Sequence, residues 1–295
     1  MAQSTSKALP APVSEGGHVL VLGRISDDPR AHYEQLRPLL DYVVPRMRDV
    51  GITEGRVLMA RDPQQMAIYL RSGRVDWVTE TAGTGMQLQR RSGAKPLLLT
   101  ERNGVSRYRS LFIVRRGSGI HTLADLVGRS VAFQSTSSTS AYLVPAMTLL
   151  QAGLRPELML SPRESVNRGK VGYLFARSEL NISTWVAKGM VDAGAVSDLD
   201  WNDDRRMPAS FRNQLEVIHR TAEYPRALEM VRADLPAPVE ARLRQVLLEA
   251  SREPEGQQAL RRFFGTTRFL EVDAPTRQAL EQLSAGAAQV RDALE

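Results

Sequence analysis

The sequence predicts an α/β protein in which two sheets face one cleft. Two observations predict it. Strand and helix patterns alternate four times within the first hundred residues, as in a sheet with helices on its faces. Four strand ends carry polar groups, at Arg24–Ser26, Glu80–Thr81, Ser135–Ser140 and Ser197–Asp198. In open α/β sheets ligands sit beyond the carboxyl ends of strands. Ends spread from residue 24 to residue 198 imply two sheets around a common cleft.

Residues 1–17 read as a flexible leader. His18 to Leu22 is a short apolar strand closed by Gly23, and Arg24 to Pro29 a loop. Between Tyr33 and Met47, apolar residues recur at helix spacing. Pro38 and Pro45 place that helix between them. Arg56–Ala60 is a strand, Asp62-Pro63 opens a helix to Gly73, and Val75–Val78 is a strand ending in Glu80-Thr81-Ala82-Gly83. A helix from Met86 and a strand from Pro96 to Thr100 complete the alternation. Further on, strands are expected at Arg109–Arg115, Val131–Phe133, Val191–Val196 and Leu215–Ile218. A helix is expected at Leu180–Lys188, and three more at Val239–Ala250, Gly256–Phe264 and Pro275–Leu294.

The segment Val131–Pro145, VAFQSTSSTSAYLVP, joins a strand to a helix through six consecutive small polar residues. Ser and Thr are preferred N-caps, and the first turn of a helix leaves N–H groups free. Strand, hydroxyl-rich loop and helix start together form a ready anion site. A plain helix cap with a polar loop is the competing reading, and six hydroxyls exceed what a cap requires.

With 39 Lys+Arg against 33 Asp+Glu, the net charge is +6, spread along the chain in short clusters such as Arg90-Arg91 and Arg261-Arg262. These read as solvated faces, and no nucleic-acid motif accompanies them. Cysteine is absent, which removes disulfides, thiolate metal sites and Cys nucleophiles and fits an oxidising compartment. No apolar run approaches the ~18–20 residues of a membrane span. The start, MAQSTSKALPAPVSEGG, has no signal-peptide core and reads as a mature N-terminus whose signal peptide has been removed. No nucleotide, zinc-protease or nucleophile-elbow motif is present, and the four histidines share no metal-ligand spacing. Hence no catalytic residue, cofactor or metal is assigned.

The segment Arg107–Leu154, RYRSLFIVRRGSGIHTLADLVGRSVAFQSTSSTSAYLVPAMTLLQAGL, resembles the periplasmic substrate-binding proteins of phosphate, phosphite and phosphonate ABC importers. The matching features are its Tyr-Arg-Ser strand, its short helix ending at Gly128 and its STS loop-helix. Gly172–Asp198, with VDAGAV, resembles the same family, as do Asp76–Thr81 and Leu36–Tyr42. The resemblance spans about residues 18–275. It implies a type II periplasmic-binding fold, with lobe 1 at 18–112 and 217–295 and lobe 2 at 113–216. It also implies a ligand held between the lobes, a permease partner in the inner membrane, a periplasmic location and a monomer.

Carried over, the oxyanion would sit on Ser138, Thr139 and Ser140, with Tyr108 as aromatic wall or hydroxyl donor and Asp198 as a site carboxylate. Glu179 stands where many members have His, and Glu80-Thr81 where many have Gly-Pro. Arg24 and Ile25, at the first strand end, complete the expected lining. An ionised carboxylate only accepts hydrogen bonds, so an acidic edge suits a ligand bearing a P–OH, hydroxyl or ammonium group. The alternative is that Glu80 and Glu179 face solvent or pair with Arg24 or Arg177. Three functions compete: the binding component of an importer for a phosphorus oxyanion or phosphonate, a ligand-sensing module of the same fold, and an enzyme on this fold.

Overall fold

The computed structural model describes residues 18–294; the expected leader lies outside them. The chain first builds β1 (His18–Ile25), β2 (Ile52–Ala60), β3 (Trp77–Thr81) and β4 (Lys95–Arg102). It crosses once through β5 (Arg107–Tyr108). Then come β6 (Ser110–Arg115), β7 (Ser130–Phe133), β8 (Pro156–Leu158), β9 (Val171–Phe175), β10 (Ala193–Ser197) and β11 (Leu215–Arg220). It returns through β12 (Tyr224–Pro225) and finishes with β13 (Ala227–Val231) and β14 (Thr266–Leu270).

The first lobe is a sheet of order β14-β4-β13-β3-β1-β2, the second a sheet of order β11-β6-β10-β7-β9-β8. β13, not expected from the sequence, returns to insert antiparallel between β3 and β4. β5 and β12 pair only with each other, Tyr108 opposite Tyr224, and form the two-strand crossing between lobes. The boundaries expected at 112/113 and 216/217 cut through β6 and β11, which pair with one another in the second sheet. Their placement follows from burial: Leu111, Phe112, Ile113 and Val114 are all fully buried, which suits a strand covered on both faces.

Two helix expectations shift. Asp28 caps the first helix, accepting from the Ala31 N–H, and Pro29 takes its first position, so the helix runs Pro29–Val43 with Pro38 inside it. Pro45 falls in the short 3₁₀ segment Val44–Val50 that follows. After β7 the chain enters a π-turn, Thr139–Leu143, before the α-helix Val144–Gln151.

The C-terminal helix, Ala274–Leu294, does not stay in lobe 1. It lies against the lobe-1 helix Ala82–Ser92 and against Val144–Gln151 and β8 of lobe 2. Its Leu280, Leu283, Ala287 and Val290 join one continuous apolar cluster with Met86 of lobe 1 and Phe133 and Tyr142 of lobe 2. Among the described residues no helix is long and apolar enough to cross a membrane.

Candidate functional site

Between the sheets lies a cleft of about 850 Å³. All four strand ends singled out in the sequence contribute to its lining. A smaller cavity, about 530 Å³, opens at the other end of the lobe-1 sheet beside Val19, Ile52 and Leu235. It lies away from the strand ends that position polar groups.

The lobe-1 side of the cleft carries Arg24, Arg61, Arg102 and Arg226 beside Asp27, Asp62 and Glu80, and Arg61 pairs with Asp62. Arg24 ends β1, Arg102 ends β4, and Arg226 precedes β13. Among the described residues Arg24, Arg102 and Arg226 have no carboxylate within ion-pair distance. The Arg24 Nε and the Arg102 Nε and Nη2 are buried and have no hydrogen-bond partner in the protein. Arg226 donates Nη1 to the Arg102 carbonyl at 2.8 Å. Arg24 and Arg102 both stand over the Phe264 ring, 4.3 and 4.9 Å from its centroid. A ring face attracts a cation without neutralising it. Phe264 holds a φ of 55°, a strained value for a bulky residue and one that clusters at functional sites. Burial, then the nearby charge of Arg24, lowers the pKa of Arg102 to about 10; burial also lowers that of Arg226. Arg102 and Arg226 were absent from the sequence-derived set.

Glu80 is buried at the end of β3, where its Oε1 accepts the Ile25 N–H at 2.8 Å. Burial raises its pKa, while the charge of Arg24 opposes the rise. This bond engages the Ile25 N–H inside lobe 1, while Ile25 itself lines the cleft as expected. Glu179 opens the helix Glu179–Ala187 and lines the lobe-2 side. Burial, then Asp200, pushes its pKa up. Asp198 does not line the cleft: its Oδ1 accepts the Arg109 N–H at 3.3 Å. Asp200 takes that place, ion-paired with Arg206 and holding Ser197 in a capping box. The cause is local geometry. β10 runs on to Ser197, so the turn of helix after it carries Asp198 outward and Asp200 inward.

The hydroxyls of the Ser/Thr loop are largely committed to the protein. Ser138 caps the π-turn by accepting the Ala141 N–H at 3.1 Å. Thr139 is buried; its Oγ1 accepts the Gly83 N–H and donates to Thr81 Oγ1, both at 3.0 Å. Thr84 Oγ1 reaches the Ser137 carbonyl at 3.4 Å. These bonds join lobe 2 to lobe 1 at the base of the cleft. The Ser140 carbonyl accepts from Ser110 Oγ at 2.6 Å, and Ser140 lines the cleft beside Tyr108. Tyr108 lies in the crossing strand with its ring 4.9 Å from that of Tyr224, and burial pushes its hydroxyl pKa up to about 12. The structure thus brings Ser138, Thr139, Ser140, Tyr108, Glu179, Glu80, Thr81, Arg24 and Ile25 together around one cleft and leaves Asp198 behind its wall. No group of His, Asp and Glu among the described residues could hold a metal ion.

Residues 23–276 match the family model for the phosphonate periplasmic substrate-binding proteins of ABC transporters. The chain belongs to this family. The fold of this binding protein is the two-lobe periplasmic-binding fold. XAC2383 from Xanthomonas citri, in a structure bound to chloride, is 53% identical, with a TM-score of 0.89 over 93% of this chain and 99% of that one. A structure of XAC2383 bound to ATP is 51% identical, again with a TM-score of 0.89, over 94% and 99%. PhnD1 from Prochlorococcus marinus in complex with methylphosphonate shares the fold at 19% identity, with a TM-score of 0.66 over 94% and 99%. The family is one of periplasmic transport proteins that work with ABC permeases, not one of enzymes.

Proposed function

We propose that this protein captures a phosphorus oxyanion in the interlobe cleft and delivers it to an inner-membrane permease. It acts in the periplasm as a monomer, without metal, cofactor or turnover. The observation that carries the reading is the set of three cleft arginines, Arg24, Arg102 and Arg226, without a carboxylate partner. Desolvating an unpaired cation costs several kcal/mol, so a site that keeps three is suited to an anion arriving from outside. XAC2383, about half identical to this chain, has been seen with ATP, a phosphorus oxyanion. In this reading Arg24, Arg102 and Arg226 take the phosphoryl oxygens, and Tyr108, Thr81 and the STS loop shape the closed cleft. Glu179 faces the ligand's donor-bearing substituent, and Glu80 orients the end of β1.

Thermal-shift measurements with phosphate, phosphite, methylphosphonate, 2-aminoethylphosphonate and ATP test it. A true ligand at 100 times its Kd adds about 2.7 kcal/mol of stability. At least one of the panel should raise the melting temperature. No shift with any phosphorus anion, alongside a shift with a carboxylate or sulfonate ligand, would overturn the reading. Glu179→Gln should weaken the aminoethylphosphonate complex far more than that of phosphate; equal losses by calorimetry would put Glu179 outside the substituent site.

A further inference from the structure

We infer that Phe264 is a positioning residue for the cleft: its ring holds Arg24 and Arg102 ready for an arriving anion and leaves their N–H groups free. This rests on the function proposed above and assigns a residue that stands behind its site.

The backbone places the ring. The helix Pro254–Arg262 ends, and Phe263 turns into the core, fully buried against Trp77 and Phe269. Phe264 and Gly265 then take left-handed φ values of 55° and 65° before β14 begins at Thr266. Glycine adopts that conformation freely and Asn tolerates it, whereas a bulky side chain is strained there. A turn alone would be better served by either of them. The same turn is bonded to the loop that follows Arg102. The Asn103 N–H donates to the Gly265 carbonyl at 2.8 Å, and the Gly104 N–H to Thr267 Oγ1 at 2.7 Å. A Cβ on Gly265 would lie 2.6 Å from Asn103 Oδ1. One junction between β4 and β14 therefore fixes both the strained ring and Arg102.

Cations gather on that ring. The guanidinium carbons of Arg24 and Arg102 stand 4.3 and 4.9 Å from its centroid. The His32 ring, whose Nδ1 shares a hydrogen bond with Ser26 Oγ at 2.6 Å, lies 5.8 Å away. Arg24, Arg102 and His32 line the cleft, and Phe264 does not. A ring face attracts a cation through its quadrupole. A carboxylate in the same place would neutralise both guanidiniums and take up their donors. With the ring there instead, Arg24 Nε and Arg102 Nε and Nη2 stay buried without a protein partner. Two long side chains are thus ordered before a ligand arrives, and ordering them at the moment of binding would weaken affinity.

The experiment compares the wild type with Phe264→Leu, which keeps apolar bulk without the aromatic face, and Phe264→Tyr, which keeps the face. Calorimetry uses phosphate, methylphosphonate and ATP, in EDTA. Phe264→Leu should lower affinity about 5- to 150-fold for each anion that the wild type binds, the effect of leaving two arginine side chains to be ordered on binding. Phe264→Tyr should stay within about threefold of the wild type. In the ligand-free protein, the Nε–H NMR signals of Arg24 and Arg102, assigned with Arg24→Met and Arg102→Met, should be displaced by the ring current. They should remain displaced in Phe264→Tyr and return to ordinary positions in Phe264→Leu. A lower melting temperature for Phe264→Leu with intact affinity would make Phe264 structural and overturn the inference. Equal losses in both variants, or undisplaced signals in the wild type, would also overturn it. A loss confined to ATP would make the ring a contact for the nucleoside, with the same result. Each of these outcomes leaves the proposed function standing, whereas a wild type that binds none of the three anions removes both.

Discussion

Glu229 is fully buried on β13, where it accepts from Trp77 Nε1 at 2.6 Å and from the hydroxyls of Thr79 and Thr100 at 2.8 Å. Burial raises its pKa from 4.5 to about 7. In acid both folded and unfolded chains hold the proton. Above 4.5 the unfolded chain releases it first, so folding stability should fall, and the loss is complete once the pH has passed about 7. The expected fall is on the order of 3 kcal/mol. Urea unfolding of the ligand-free protein at about pH 5 and about pH 8, compared with Glu229→Gln, measures it. The stability gap between the two proteins should change with pH, and a gap independent of pH would show that Glu229 does not titrate. The residues that matter most to the cleft were the least legible in the sequence. Arg102 and Arg226 stand far apart along the chain, and each reads alone as an ordinary surface charge. They become neighbours because β13 pairs with β4, Ala227 opposite Thr100, and that return strand gave no signal separable from a loop.

At the scale of elements, the strand-loop-helix after β7 was legible in place and misjudged in part of its role. Small polar residues and apolar spacing fixed the turn and the helix, but the partners of Thr139 lie 56 and 58 residues away. Local pattern cannot reveal bonds of that kind. Those bonds require Gly83: a Cβ there would lie 2.5 Å from Thr139 Oγ1 and 2.7 Å from Leu143 Cδ2. Gly83→Ala should therefore prop the lobes apart. Overpacking of this kind costs about 1–3 kcal/mol, which corresponds to a loss of affinity of about 5- to 150-fold. Small-angle scattering at saturating ligand should give a larger radius of gyration for Gly83→Ala than for the wild type. Equal radii with equal affinity would show that the contact does not control closure. The alternation of β1 to β4 with their helices, by contrast, was readable because each element follows from neighbours within a few residues.

For the whole molecule, two crossings near Tyr108 and Tyr224 make a hinge, and ligand should close it. The radius of gyration of the wild type should fall on adding a bound ligand; an unchanged profile at saturation would argue against a clamp. The C-terminal helix sets the form of that motion. It touches both lobes, and Gly286 lets Met147 of lobe 2 approach so closely that a Cβ there would collide with the Met147 sulfur. A body fastened along one edge opens like a book with a glued spine. Amide hydrogen exchange should then report two regimes. The rim segments near Arg61, Arg177 and Glu179 should exchange fast without ligand and slow with it, whereas residues 280–290 stay protected in both states.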